Sequence, residues 1–243
     1  MDTIDSLHKD TIKRIAKDVA DIYKAPLDKE GIYYIHDDDH MLRGYAMIIG
    51  PKETLYTNGM YFFEFTFPSN YPYRPPKVTM RTNNGVYRMH PNLYRNGKVC
   101  LSILNTWKGD SWTSCQTIRS ILMTIISIFD KNPLLHEPGI QEQHPDVLKY
   151  NKMIEFANID LAYVDISNPT YNLGRFDVFK KYMNDHIKET IEEVIEFVTE
   201  MKKKVEKNIL GTSIYEMSVY IDYNTLLKKL IVLKEDKKST LVS

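Results

Sequence analysis

The 243-residue chain predicts an α+β fold: a four-stranded antiparallel meander sheet with flanking helices, followed by a helical C-terminal extension. Three observations carry this. Segments rich in aromatic and β-branched residues are joined by short turn-forming connections. Apolar residues at helical spacing stand before and after them. Beyond residue 167 only the helical period is visible.

Ile4, Leu7, Thr11, Ile12, Ile15, Val19 and Ile22 recur at intervals of three and four and predict a first helix, which Pro26 stops. Gly31 to His36, Met41 to Ile49, and Met60 to Phe67 with its alternating Tyr61, Phe63, Phe65 and Phe67 read as three strands. Asp37-Asp38-Asp39 joins the first pair, and a link from Gly50-Pro51 to Asn58-Gly59 joins the second. Connections this short favour antiparallel pairing. Lys77 to Thr82 offers a fourth strand. Before it, Tyr71-Pro72-Tyr73-Arg74-Pro75-Pro76 cannot donate to a ladder at its prolines and reads as a rigid extended loop.

Residues 83 to 115 show almost no regular period, and a stretch of that length inside a compact domain is usually functional. Gln116 to Asp130 reads as a buried helix ended by Asn132-Pro133. A further helix runs from Pro145 to about Tyr163 on the stripe Val147, Tyr150, Ile154, Ala157 and Leu161. From Arg175 to Asn208 the helical period continues, giving roughly 50 Å of helix with one expected bend. A last helix spans about Tyr223 to Leu233, with Asp222 or Asn224 as cap. The chain thus divides into a core of residues 1–166 and an extension of residues 167–243.

Thirty-two basic residues balance thirty-two acidic ones, so whole-chain charge recruits neither nucleic acid nor anionic lipid. Cys100 and Cys115 form no paired motif, and there is no glycosylation sequon, so a secreted disulfide framework and a thiolate zinc site are not expected. Acids in Met1-Asp2-Thr3-Ile4-Asp5-Ser6 argue against a signal peptide. The longest apolar stretch, Ile118 to Phe129, is too short and too interrupted to span a membrane. The expected location is cytoplasmic or nuclear. His36-Asp37-Asp38-Asp39-His40 clusters metal-ligand chemistries, but five consecutive residues in one connection suit a hairpin turn better, and no metal or other cofactor is expected. Lys202-Lys203-Lys204 and Lys237-Lys238 read as solvated charge or as sites of self-modification.

Within the irregular stretch stands His90-Pro91-Asn92, and eight positions after Asn92 comes Cys100, followed by Leu101-Ser102-Ile103-Leu104. With the preceding proline loop, the following tryptophan and the next helix, this resembles the catalytic core of the ubiquitin-conjugating enzymes. Thr11 to Asp18, Phe65 to Lys77 and Lys149-Tyr150-Asn151 resemble that family too, and the resemblance implies its fold for the first 166 residues. Trp112 lies twelve places after Cys100, where common members have eight. Together with Glu137-Pro138-Gly139 and the closing Ile221 to Leu227, this resembles the Z-type enzymes, which have helical tails.

The resemblance implies that Cys100 accepts ubiquitin or a ubiquitin-like modifier from an activating enzyme as a thioester and passes it to a substrate lysine. ATP is consumed by the activating enzyme. One thioester replaces another, so Cys100 needs only a usable thiolate fraction and access to solvent. Cys115, which lacks a matching motif, reads as structural. Asn92 offers an uncharged donor to the oxyanion formed when the amine attacks, or else only ties down its loop. His90, Pro91 and Tyr94 read as loop-structuring. His136 falls where common members carry an acidic or hydroxyl residue and is the candidate acceptor beside the cysteine, with Glu137 as its alternative.

On the first helix, Lys13, Arg14 and Lys17 form a basic face for the activating enzyme. The loops carrying Tyr73, Trp112 and Ser114 are those that would contact a ligase, although the family's usual Ser-Pro-Ala is Thr113-Ser114-Cys115 here. Two rival readings stand beside this one: an inactive variant that binds the modifier without chemistry, and a cysteine hydrolase that cleaves modifier conjugates. The second needs a histidine held by an acid within reach of Cys100.

Overall fold

A computed structural model describes residues 9–239. Ile4 and Leu7 of the expected first helix lie outside the described residues. The rest of that helix, α1, spans Lys9–Lys24 and buries Thr11, Ile15, Asp18 and Ile22, a run of three- and four-residue steps. Asp18 is a buried carboxylate on this face, and such a group must be satisfied by donors. It accepts Nε of Arg14 at 2.9 Å and the Tyr71 hydroxyl, and so ties α1 to the proline loop.

Strands β1 (Ile32–His36), β2 (Arg43–Ile49), β3 (Met60–Thr66) and β4 (Lys77–Met80) form the expected antiparallel meander in the order β1-β2-β3-β4. Register Tyr33↔Met47↔Phe62 and Tyr34↔Ala46↔Phe63 sorts the side chains onto two faces. Tyr61, on the second face, meets Phe129 at 4.8 Å between ring centroids and bonds Asn158 through its hydroxyl at 2.7 Å, so this side packs under the helices. Both central strands are nonetheless buried almost throughout, β2 from Gly44 to Ile48 and β3 from Met60 to Phe63. The opposite face must therefore be covered as well.

The chain beyond residue 167 covers it. A 3-10 turn over Gly174–Phe179 lays Phe176 against Tyr45 (5.3 Å) and Phe62 (5.0 Å), and the following helix sets Tyr182 on Tyr33 at 4.5 Å. Core and extension thus share one contiguous set of buried apolar side chains. Helix α2 (Ile118–Ser127) opens on a capping box between Thr117 and Ser120, and α3 spans Asp146–Ile159 before a π-helical turn over Asp160–Val164. α4 runs over Lys180–Lys204 and α5 over Tyr223–Ser239. Of the two expected caps for α5, Asp222 is the one used, its Oδ1 accepting the amides of Asn224 and Thr225 at 3.0 and 3.1 Å.

The extension departs from the sequence expectation in one respect. The helix expected to reach Asn208 ends at Lys204, and the chain then forms a hairpin, β5 (Asn208–Thr212) paired with β6 (Met217–Ile221). In β6, Met217, Val219 and Ile221 are buried while Ser218 and Tyr220 are exposed, the two-residue period of a half-buried strand. At the turn His36 to His40, Asp37 is buried and its Oδ1 accepts the amides of Asp39 and His40 at 2.9 and 3.0 Å, while Oδ2 accepts the Tyr45 hydroxyl. This is the turn chemistry expected there.

If the extension belongs to the core, Phe179→Ala will destabilise the whole fold by about 3–5 kcal/mol in chemical denaturation, without a change of slope. A cost under about 1 kcal/mol would contradict that packing.

Candidate active site

Backbone geometry gathers His90-Pro91-Asn92 and Cys100 into one hydrogen-bonded unit. The Asn92 amide donates to Nδ1 of His90 at 3.0 Å, the Cys100 amide donates to the Asn92 carbonyl at 2.8 Å, and Nδ2 of Asn92 donates to the Cys100 carbonyl at 2.6 Å. Because Nδ1 of His90 accepts, its proton sits on the buried Nε2, which faces the Ile128 backbone. Burial, with a smaller contribution from neighbouring His136, pushes the His90 pKa down to about 3, so the ring is neutral and serves as a fixed acceptor. Asn92 is engaged as a loop brace, and its amide nitrogen carries a second hydrogen.

Cys100 itself corrects the sequence argument, which expects an open thiol. The residue is 1% exposed. Both of its backbone groups face Asn92, and its neighbours Val99, Leu101, Ile103 and Leu104 are all buried. The chain then doubles back. Oγ1 of Thr106 accepts the Leu101 amide at 2.9 Å, Oδ1 of Asn105 accepts the Trp112 amide at 2.8 Å, and Gly109, at φ 133°, lies so near Ser102 that a Cβ there would stand 3.0 Å from the serine Cβ. Residues 105–111 of this returning segment are all exposed. Cys115, expected as a structural thiol, is exposed.

The 3-10 turn Pro133–His136 brings His136 onto His90. Its ring packs edge-on against His90 at 4.8 Å, and its Nε2 bonds Oδ2 of Asp130 at 2.6 Å. Burial would raise the Asp130 pKa, but the hydrogen bond from His136 and the Asn132 amide hold it below the usual carboxylate value. Glu137 is already taken, because it accepts the hydroxyl of Tyr215 from the extension. Tyr94 packs under the Arg88 guanidinium at 3.6 Å, and Arg88 donates to the Pro91 carbonyl at 2.6 Å. Asp130, Arg88 and Tyr215 were not legible as site residues. Each acts through a contact that no local motif announces.

The family model for ubiquitin-conjugating enzymes matches residues 14–159, well over half of the chain. The chain belongs to the ubiquitin-conjugating enzyme family. Ubiquitin-conjugating enzyme E2 Z of Homo sapiens is 44% identical over 156 residues, which are 63% of this chain and 44% of that protein. A probable ubiquitin-conjugating enzyme of Acanthamoeba polyphaga mimivirus is 32% identical over 206 residues, 76% of this chain and 14% of the relative. The solved human ubiquitin-conjugating enzyme E2 G1 aligns with a TM-score of 0.43 and 34% identity over 49% of this chain and 93% of that one. The match to the human E2 Z thus spans less than half of that relative's length.

The expected partner-contacting residues of this family member divide into two groups. Lys13 and Lys17 are exposed on α1. Arg14 is not available: its guanidinium bonds Asp18 and the carbonyls of Ser114 and Gln116, and lies 5.5 Å from the centre of the Tyr71 ring. Trp112 is likewise removed from the contact set, being 8% exposed with its indole Nε1 donating to the Pro72 carbonyl at 2.6 Å. Both residues fasten loops that the sequence could not place. The same Trp112 bond draws the proline loop to residues 112–114, and it leaves Tyr73 (71% exposed) and Ser114 on the surface. Among the described residues, no helix is long and apolar enough to cross a membrane.

The neutral His90 makes stability depend on pH. Its folded pKa is about 3 against an ordinary 6.5, so between those values the unfolded chain binds a proton that the folded chain excludes. This contribution is complete above about pH 6.5 and declines as pH falls toward 3, by up to ~1.4 kcal/mol per pH unit. His36 and His186, also lowered by burial, act in the same direction. Unfolding free energies at about pH 7.5 and about pH 5.5 should therefore differ, and the difference should shrink in His90→Asn. An unchanged difference in that variant would refute the neutral buried ring.

Proposed function

We propose that this chain is the conjugating unit that carries ubiquitin or a ubiquitin-like modifier on Cys100, with residues 1–166 as catalytic core and residues 167–243 as an extension that completes it. The observation that carries the reading is the Asn92–Cys100 pairing, which fixes the Cys100 backbone beside an uncharged donor whose own amide is held by the His90 imidazole. The Cys100 thiolate attacks the carbonyl of the thioester presented by the activating enzyme. A new carbon–sulfur bond forms, and the partner's thiolate leaves. Loading requires the sulfur to be uncovered. We place that movement in residues 105–111, which are exposed throughout and would have to release the Thr106 bonds to Val99 and Leu101.

Transfer follows when a lysine amine of a protein substrate attacks the same carbonyl. The second N–H of Asn92 Nδ2 is free to meet the oxyanion, an interaction worth roughly 3 kcal/mol. A neutral amine is scarce near pH 7, so the proton it sheds needs an acceptor. With Nε2 turned to Asp130, His136 offers Nδ1 for that proton, while Cys100 leaves as the thiolate. The Asp130–His136 pair is also what a hydrolase would use on water, so aminolysis and hydrolysis have to be measured side by side. Lys13 and Lys17 would dock the activating enzyme, and Tyr73 with Ser114 a ligase.

The test is incubation with activating enzyme, ATP and a panel of modifiers, followed by a gel with and without thiol. A reducible adduct is expected, lost in Cys100→Ala and thiol-resistant in Cys100→Ser. Discharge of the adduct onto free lysine should fall about 10- to 100-fold in His136→Ala and similarly in Asp130→Asn. An adduct that persists in Cys100→Ala, or a wild-type protein that takes none, would overturn the proposal. Release of free modifier to water as fast as to lysine would favour the hydrolase.

A further inference from the structure

The tip of the β5–β6 hairpin carries a tyrosine in a conformation that tyrosine rarely adopts. Tyr215 has φ 65° and is followed by Glu216 at φ 48°, two left-handed residues in succession where a hairpin ordinarily uses glycine or asparagine. Such backbone persists only where its surroundings hold it. Here the hold is explicit. The buried carboxylate of Asp146 accepts the Ser213 amide at 2.8 Å, the Ser213 hydroxyl at 2.6 Å and the Ile214 amide at 2.9 Å.

The conformation delivers one side chain to the candidate site. The Tyr215 ring lies 4.1 Å from the Arg88 guanidinium, whose separation from the Tyr94 ring is 3.6 Å. Arg88 in turn holds the Pro91 carbonyl, next to Asn92. The Tyr215 carbonyl accepts Arg95 at 2.8 Å, and its hydroxyl donates to Glu137, next to His136. Burial, together with the bond to Glu137, pushes the phenol pKa up, so it remains a donor. One residue of the extension therefore touches both the loop carrying Asn92, which pairs with Cys100, and the loop carrying His136, which packs on His90.

We infer that Tyr215 is a positioning residue for lysine attack, setting from the extension the separation between the Asn92 loop and the His136 loop. The inference rests on the thioester proposal above. Ring and hydroxyl act as separate levers: the ring fixes Arg88 and hence Pro91-Asn92, and the hydroxyl fixes Glu137 and hence His136.

The experiment loads the full chain with modifier, quenches the ATP, and follows discharge against lysine concentration. Tyr215→Phe keeps the ring and severs the hydroxyl, and Tyr215→Leu removes both. Loading at wild-type extent is expected in each, with the limiting discharge rate down about threefold in Tyr215→Phe and about tenfold or more in Tyr215→Leu, and half-saturating lysine unchanged. Glu137→Gln combined with Tyr215→Phe should be no slower than the slower single variant, because both cut one link. Wild-type discharge in both tyrosine variants would overturn the inference. So would a Tyr215→Leu protein whose loading, discharge and melting temperature fall together while Tyr215→Phe behaves as wild type, since that marks a purely structural role. A wild-type chain that takes no thioester is a separate outcome, which overturns the parent proposal and this inference with it.

Discussion

The bond from Asn92 to the Cys100 carbonyl is the constraint around which the site is built. Paired with the reciprocal bond from the Cys100 amide, it makes the two residues one rigid unit, so the position of the proposed nucleophile is set by the backbone of a loop that would otherwise have no regular structure. The unit has its own support. His90 must stay neutral to accept the Asn92 amide, and burial keeps it so. Position is gained here at the expense of exposure, since the cysteine that should meet a macromolecular partner is covered. Acyl transfer between thiols can accept this arrangement, because it needs the sulfur uncovered only while the partner thioester is engaged.

Around that unit the fold assembles two supports from distant parts of the chain. From the core, Asp130 at the end of the α2 segment holds His136 against His90. From the extension, the hairpin tip grips Arg88 and Glu137. The same extension closes the outer face of the sheet with Phe176 and Phe179, so it is at once a structural cover and a contributor to the site. Removing residues 167–243 would strip the cover from Tyr45 and Phe62 and withdraw Tyr215 together.

Much of this was legible in the sequence. The strands declared themselves through alternation and turn chemistry, and the stretch from His90 to Cys100 marked a candidate site through its resemblance to the family. What stayed hidden depends on contacts between residues far apart in the chain. Arg14 was expected on a basic docking face with Lys13 and Lys17 because its partners, the carbonyls of Ser114 and Gln116, sit on a loop with no period. Trp112 looked available for the same reason. The β5–β6 hairpin was missed although Met217-Ser218-Val219-Tyr220-Ile221 alternates, because the long helical period before it was carried too far. Burial of Cys100 could not be read at all, since no local pattern around it reports how the irregular stretch packs.

Two cysteines in opposite environments give the account its most direct test. After incubation with activating enzyme, ATP and modifier, an acid quench that preserves thioesters and peptide mapping by mass spectrometry will show which sulfur carries the modifier's carboxyl terminus. The account predicts the buried Cys100 alone. Modifier on the exposed Cys115, or on neither cysteine, would contradict it.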